Sequence, residues 1–189
     1  MKKERERCLE AVTLAAAGET VSLVSSGDPG VYGMAGLAIE IAEKQSANID
    51  VEIVPEISAA GAAAAKLGAP LMLDYACISL SDLLVPWDFI TKRLEAVAGA
   101  DMVCVIFNPR SNTRVTQLEE AARIFLKHRP PTTPVGICKA IGSDEETAVI
   151  SELGGFLSLD INMRSVVIIG NTSTRIIHGK MVTPRGYEV

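Results

Sequence analysis

No stretch of this 189-residue sequence is apolar for long enough to cross a bilayer. Hydrophobic residues make up 48% and mean hydropathy is +0.27, yet charges interrupt every run well before the roughly 18 residues a membrane helix needs. A basic surplus is also lacking. With 18 Lys and Arg against 23 Asp and Glu, a net charge of −5 and a pI near 5.1, the sequence offers no general counter-charge for a phosphate backbone, so nucleic acid is not an expected partner. The opening Met1-Lys2-Lys3-Glu4-Arg5-Glu6-Arg7 is charged where a signal peptide is apolar, and the expected location is the cytoplasm. Cysteine occurs four times without a C-x-x-C pair, and the two histidines, His128 and His178, lie far apart. No protein-bound metal is therefore expected, and the thiols read as small buried hydrophobes.

What is present is an apolar fraction too high for disorder, in a chain long enough for one large or two small packed domains. Apolar residues at helical spacing predict helices over Arg5 to Ala17, Tyr32 to Lys44, Ser58 to Lys66, Trp87 to Val97 and Val115 to Lys127. Short apolar runs predict strands at Val21 to Ser25, Asp50 to Val54, Ala76 to Ser79, Met102 to Phe107, Val135 to Ala140, Thr147 to Ser151 and Ser165 to Gly170. Strands alternating with helices indicate an α/β class with a parallel layer in the first half. A polar turn running into Pro86-Trp87 marks a boundary, giving an N-terminal domain over 1–81 and a C-terminal domain over 82–189.

In an open α/β sheet ligands bind at the carboxyl ends of the strands, so the loops that leave those ends matter most. Ser26-Gly27-Asp28-Pro29-Gly30-Val31-Tyr32-Gly33 combines backbone-permissive Gly27 and Gly30 with a turn-fixing proline and an acidic acceptor at a helix start. Asp28 either caps that helix or faces a hydroxyl, amine or cation. Neither the G-x-G-x-x-G nor the G-x-x-x-x-G-K-[ST] spacing is present, which argues against a nucleotide phosphate. In the loop after the second strand, Ser58 reads equally as an N-cap. Asn108-Pro109-Arg110-Ser111-Asn112-Thr113-Arg114 places two arginines at a strand terminus, either clamping carboxylates or simply solvated. Lys139 and Thr183-Pro184-Arg185-Gly186-Tyr187 complete the set. No Ser-His-Asp, Cys-His or paired-carboxylate arrangement is visible, and no catalytic side chain is assigned.

Ser26 to Gly36, Ser79-Leu80-Ser81-Asp82-Leu83-Leu84-Val85-Pro86-Trp87, Phe107-Asn108-Pro109-Arg110-Ser111 and Thr183-Pro184-Arg185-Gly186-Tyr187 together resemble the tetrapyrrole (corrin/porphyrin) methylases, and among them the branch that methylates C17 of the macrocycle. The resemblance runs from about Cys8 to Tyr187. It implies the class III methyltransferase fold, two α/β domains with S-adenosylmethionine in the cleft between them, acting as a homodimer on a tetrapyrrole. The implied reaction is C17 methylation with ring contraction on precorrin-3B, or on its cobalt-containing counterpart, in cobalamin biosynthesis. Carried onto this sequence, Ser26, Gly27, Asp28 and Val31 would hold the methionine part of the cofactor with Ser58 and Ala59. Phe107, Asn108, Lys139, Ala140, Thr183 and Pro184 would line the adenosine. Arg110, Arg114 and Arg185 are the expected anchors for substrate carboxylates.

Two departures accompany the resemblance. Family members open with a strand, a glycine-rich loop and a helix, and this sequence begins beyond them. Glu56 also stands where the family has glycine, which would strain the backbone if that position demanded a positive φ. These departures raise the alternative of a non-catalytic methylase module; a sister methylase acting at another ring position is a second alternative, against which the Asn-Pro-Arg-Ser and Thr-Pro-Arg-Gly-Tyr motifs stand.

Overall fold

The computed structural model describes residues 3–188, which divide into two compact units, one up to Ala59 and one from Ala60 onward. In the first unit, α1 (Glu4–Ala16) packs on α2 (Ala35–Lys44), burying Cys8 and Val12 from one helix and Ala42 from the other. The Cys8 thiol lies against the Met34 carbonyl at 3.9 Å. The expected strands at Val21 to Ser25 and Asp50 to Val54 do not form. An apolar run sets a preference for extended chain, but a strand exists only with a hydrogen-bonded neighbour, and neither segment has one among the described residues. Their apolar side chains stay open to solvent, Val24 at 81% and Val54 at 64% exposure.

The second unit opens with α3 (Ala59–Leu67), which runs straight into the short β1 (Gly68–Ala69). There follow β2 (Tyr75–Ser79), α4 (Trp87–Gly99), β3 (Val103–Phe107), α5 (Gln117–Leu126), β4 (Pro134–Lys139), β5 (Thr147–Glu152) and β6 (Ser165–Ile169), then the hairpin β7 (Arg175–Ile177) and β8 (Lys180–Val182). The main sheet has the order β2-β3-β6-β4-β5. β2 is parallel to β3, β6 is antiparallel to both β3 and β4, and β5 is antiparallel to β4. The sheet is therefore mixed, and β2, expected in a parallel layer with the two earlier runs, is instead the edge strand beside β3. The expected boundary near residue 82 falls between β2 and α4.

β3 and β6 carry almost nothing but buried β-branched residues and cysteine, as central strands covered on both faces must. On one face α4 and α5 supply Ile90, Leu94, Leu118, Ala121 and Phe125 to the core. On β4, Gly136 lets Leu67 close in, because a β-carbon there would stand 2.3 Å from Leu67 Cδ1. All four cysteines are free thiols, and burial pushes Cys104 up to about 12 and Cys138 to about 11. Such thiols carry no thiolate near neutral pH. No helix among the described residues is long and apolar enough to cross a membrane.

Candidate functional site

The loop Ser26 to Gly33 is built around one carboxylate. Asp28 Oδ1 accepts the Gly30 N–H at 2.8 Å, and Asp28 Oδ2 accepts the Glu56 N–H at 3.1 Å. One side chain thus ties the loop after the first extended segment to the loop after the second. The sequence left Asp28 as a cap of α2 or a ligand contact, but the residue at that helix's N-cap is Met34, with no side-chain cap. Gly27 supplies a φ of +83°, and Tyr32 follows in the left-handed region at +55°. Glu56 is not among the residues at positive φ, so the strain foreseen for a non-glycine residue there does not arise. Just ahead of the loop, the shielded Ser25 hydroxyl has no hydrogen-bond partner. Ser26 and Val31 are exposed, and Ser58 and Ala59 stand half-buried at the start of α3.

The two amide donors, led by Glu56, hold the Asp28 carboxyl below the usual carboxylate range. A group whose folded pKa is depressed contributes stability above its unfolded value and loses it as pH falls through the folded one. The Gly30 and Glu56 amide resonances are accordingly expected to titrate together, at a pH below that of a free aspartate. Titration of either amide at the ordinary aspartate value would show that the bridge between the loops does not hold in solution.

In the second unit the sheet brings the carboxyl ends of β2, β3 and β4 to one edge, beside the start of β6. Asn108 and Ala140, the residues that follow β3 and β4, both adopt left-handed backbone, with φ of +51° and +53°. Such conformations are uncommon outside glycine and collect at functional sites. Asn108 Nδ2 donates to Ser79 Oγ at 2.9 Å, and the Leu80 N–H donates to the Phe107 carbonyl at 3.0 Å. The Ala140 N–H donates to the Arg164 carbonyl at 2.9 Å. Lys139 is committed to an ion pair with Asp160.

Of the three expected anchors, Arg110 is partly exposed, 3.6 Å from Glu119 Oε1, with its Nε shielded and unpaired. A cavity of about 340 Å³ opens between 110–112 and 161–164, edged by Arg110 and Arg164. Arg164 gave no signal in sequence, because its loop followed no recognisable strand terminus. Arg185 is exposed. Arg114 departs from the expectation of a rim anchor: it is only 6% exposed, and its guanidinium donates to the Asn108 carbonyl. The polar sequence of that loop could not show that one arginine turns inward.

Thr183 is fully buried beyond β8, its N–H on the Ala69 carbonyl and its hydroxyl 2.8 Å from that of Thr174. Thr174 belongs with Asn171 to a polar turn after β6 that the sequence did not single out. The loop Asp82 to Trp87 is fastened to α5 by Gln117 Nε2 donating to Asp82 at 3.1 Å and by Trp87 Nε1 donating to Glu120 at 2.8 Å. Leu83 and Leu84 stand out from it, 81% and 95% exposed. A larger recess of about 420 Å³ lies on α4 and α5, where Lys127 is paired with Glu95 and Glu120 accepts from Trp87. Among the described residues, no cluster of three or more His, Cys, Asp or Glu is placed to hold a metal ion.

The chain is 47% identical to the cobalt-factor III methyltransferase of Priestia megaterium, matching over its whole length but covering only 36% of that protein. It is 46% identical to the probable cobalt-factor III C(17)-methyltransferase of Salmonella typhimurium, again over its whole length and covering 78% of the relative. Among solved structures, the crystal structure of the methyltransferase CobJ superposes with a TM-score of 0.88 at 35% identity, covering 96% of this chain and 77% of that one. The profile of the Tetrapyrrole (Corrin/Porphyrin) Methylases matches residues 2–156, a span that contains the Asp28 loop and the β2, β3 and β4 termini alike. Fold, loops and sequence agree, and the chain belongs to the tetrapyrrole methylase family.

Proposed function

We propose that this protein transfers a methyl group from S-adenosylmethionine to C17 of a corrin-type tetrapyrrole in cobalamin biosynthesis, working as a homodimer in the cytoplasm. The observation that carries the reading is the near-half identity, along the whole chain, with proteins named as cobalt-factor III methyltransferases. The residues present fit the donor. The Asp28 loop offers glycine backbone at positive φ and an orphaned Ser25 hydroxyl, the features of a polar ligand's cradle. Ser26, Gly27, Asp28, Val31, Ser58 and Ala59 would hold the methionine part, and Phe107, Asn108, Lys139, Ala140, Thr183 and Pro184 the adenosine.

When bound, S-adenosylmethionine supplies an electrophilic methyl group. Displacement at such a methyl disperses charge, so the protein's task is alignment and exclusion of water rather than strong base catalysis. The chain suits that task, with loops bridged by Asp28 and no assigned acid–base pair. Arg110 and Arg185 would meet the substrate's carboxylates, where a guanidinium fork is favoured. Arg114, being buried, is left out of that role. The Asp28 side chain acts by holding two loops in register.

The test is incubation of the purified protein with methyl-labelled S-adenosylmethionine and either cobalt-factor III or metal-free precorrin-3B. Label is expected in the tetrapyrrole with the cobalt-containing substrate, and calorimetry is expected to show binding of S-adenosylhomocysteine. Binding without label transfer to either substrate would replace the enzyme with a non-catalytic methylase module. No binding would reject the proposal.

A further inference from the structure

Arg114 is an expensive residue to bury, and its surroundings show what it holds. Its Nη2 donates to the Asn108 carbonyl at 2.8 Å and lies 3.2 Å from Met163 Sδ. Its own N–H donates to Ser111 Oγ at 3.0 Å while its carbonyl accepts the Ser111 N–H at 3.0 Å. The loop from Asn108 to Arg114 is thereby closed on itself, with the guanidinium fixing the carbonyl of the one residue in it at positive φ. A charged donor on that carbonyl supports the left-handed backbone, a region asparagine reaches more readily than most residues.

That conformation sets the Asn108 side chain. Its Nδ2 donates to Ser79 Oγ, and Ser79 Oγ also accepts the Ser81 N–H at 3.2 Å. Both lone pairs of the serine oxygen are then in use, which leaves the hydroxyl proton to be donated outward. Asn108 keeps its Oδ1 as an acceptor. Neither group has a further partner among the described residues. The neighbouring ends of β2 and β3 thus present one donor and one acceptor side by side. A carboxylate carries acceptors only, whereas a nucleoside carries both kinds on its base edge and ribose.

We infer that Arg114 is a positioning residue that holds Asn108 left-handed, so that the Ser79 hydroxyl and the Asn108 carboxamide oxygen together receive the nucleoside end of the methyl donor. The inference rests on the S-adenosylmethionine reading above and adds to it Ser79 as a contact and Arg114 as its support.

The experiment is a double-mutant cycle read by calorimetry with S-adenosylhomocysteine, with melting temperatures recorded beside it. Arg114→Gln is expected to raise Kd about tenfold or more, the loss of one charge-assisted bond. Arg114→Lys, which keeps a single donor for the Asn108 carbonyl, is expected to recover part of the affinity. Asn108→Gly reaches the left-handed region unaided, so adding Arg114→Gln to it should change Kd little. Additive effects would place the action of Arg114 elsewhere and overturn the inference, as would an unchanged Kd in Arg114→Gln. Should that variant fail to fold, Ser79→Ala decides: a raised Kd with an unchanged melting temperature supports the pair, and an unchanged Kd overturns it. A wild-type protein that binds no S-adenosylhomocysteine would overturn the cofactor reading itself, an outcome distinct from all of these.

Discussion

Gly33→Ala is expected to weaken cofactor binding by about ten- to a hundredfold, while Gly36→Ala, three residues on in the same motif, should leave it intact. A β-carbon on Gly33 would stand 2.4 Å from the Pro29 carbonyl oxygen and 2.7 Å from its carbon. Those are backbone atoms, which cannot swing aside as the tip of a side chain can. The Pro29 carbonyl also accepts the Ala35 N–H at 3.1 Å, a bond that joins the loop to the first turn of α2. Moving Pro29 displaces Asp28 beside it, and with Asp28 goes the bridge to Glu56. Overpacking of this kind costs about 1–3 kcal/mol, and here the strain falls on the ligand loop itself. Gly36 lies within α2, where an added β-carbon would meet nothing within 4 Å, so alanine there should stabilise the helix by about 0.5–1 kcal/mol. Gly30 stands between the two cases, with only the movable Asp28 Oδ1 at 3.2 Å. Calorimetry with S-adenosylhomocysteine on the three alanine variants checks the order. Equal affinity for Gly33→Ala and Gly36→Ala would mean that the loop does not carry the cofactor.

The same loop shows how far a sequence can be read. Its Gly27, Gly30, proline and aspartate marked a ligand loop, but only the folded chain reveals that Gly33 is required by contact rather than by dihedral angle, or that the Asp28 carboxylate is turned onto Glu56. The helices were legible because apolar spacing reports burial directly, as in α5, where Leu118, Ala121, Ala122 and Phe125 are all inside. β3 and β6 were legible as unbroken apolar runs. Val21 to Ser25 and Asp50 to Val54 also carry apolar residues and form no strand, since pairing depends on a neighbour that composition does not encode. β7 and β8 were missed because Arg175–Ile177 is exposed throughout. Their turn did carry a signal: His178 and Gly179 both have positive φ, at 48° and 73°, the requirement of a two-residue hairpin loop. Charge was the least legible feature. Arg110, Arg114 and Arg129 look alike on paper, and one lines a cavity, one supports a strand terminus and one lies in the core.

Arg129→Ala is expected to be among the most destabilising single substitutions in the second unit. The side chain is wholly buried, its guanidinium stacked over the Phe125 ring at 4.7 Å. That guanidinium donates to the Gly170 carbonyl, to the Met102 carbonyl at 2.6 Å and to the Val97 carbonyl at 3.4 Å. It thus gathers the end of β6, the approach to β3 and the last turn of α4. Asp101 lies 3.6 Å from Nε but is 41% exposed and also accepts the Thr172 N–H at 3.0 Å, so it retains a partner and water when the arginine is lost. The Val97 carbonyl keeps the Met102 N–H at 3.2 Å, so the loss falls on the Gly170 and Met102 carbonyls. Replacing a buried ion pair with apolar residues is often harmless because both charges leave together, whereas these two acceptors belong to the main chain and stay behind without the arginine. The cost should therefore resemble that of breaking a buried pair, about 3–5 kcal/mol. Arg129→Met refills the volume but not the hydrogen bonds, and should recover only the cavity part of that loss. Urea denaturation of the three proteins checks the ranking, with midpoints falling in the order wild type, Met, Ala. A methionine variant as stable as wild type would show that Arg129 contributes packing and that its three hydrogen bonds stabilise nothing.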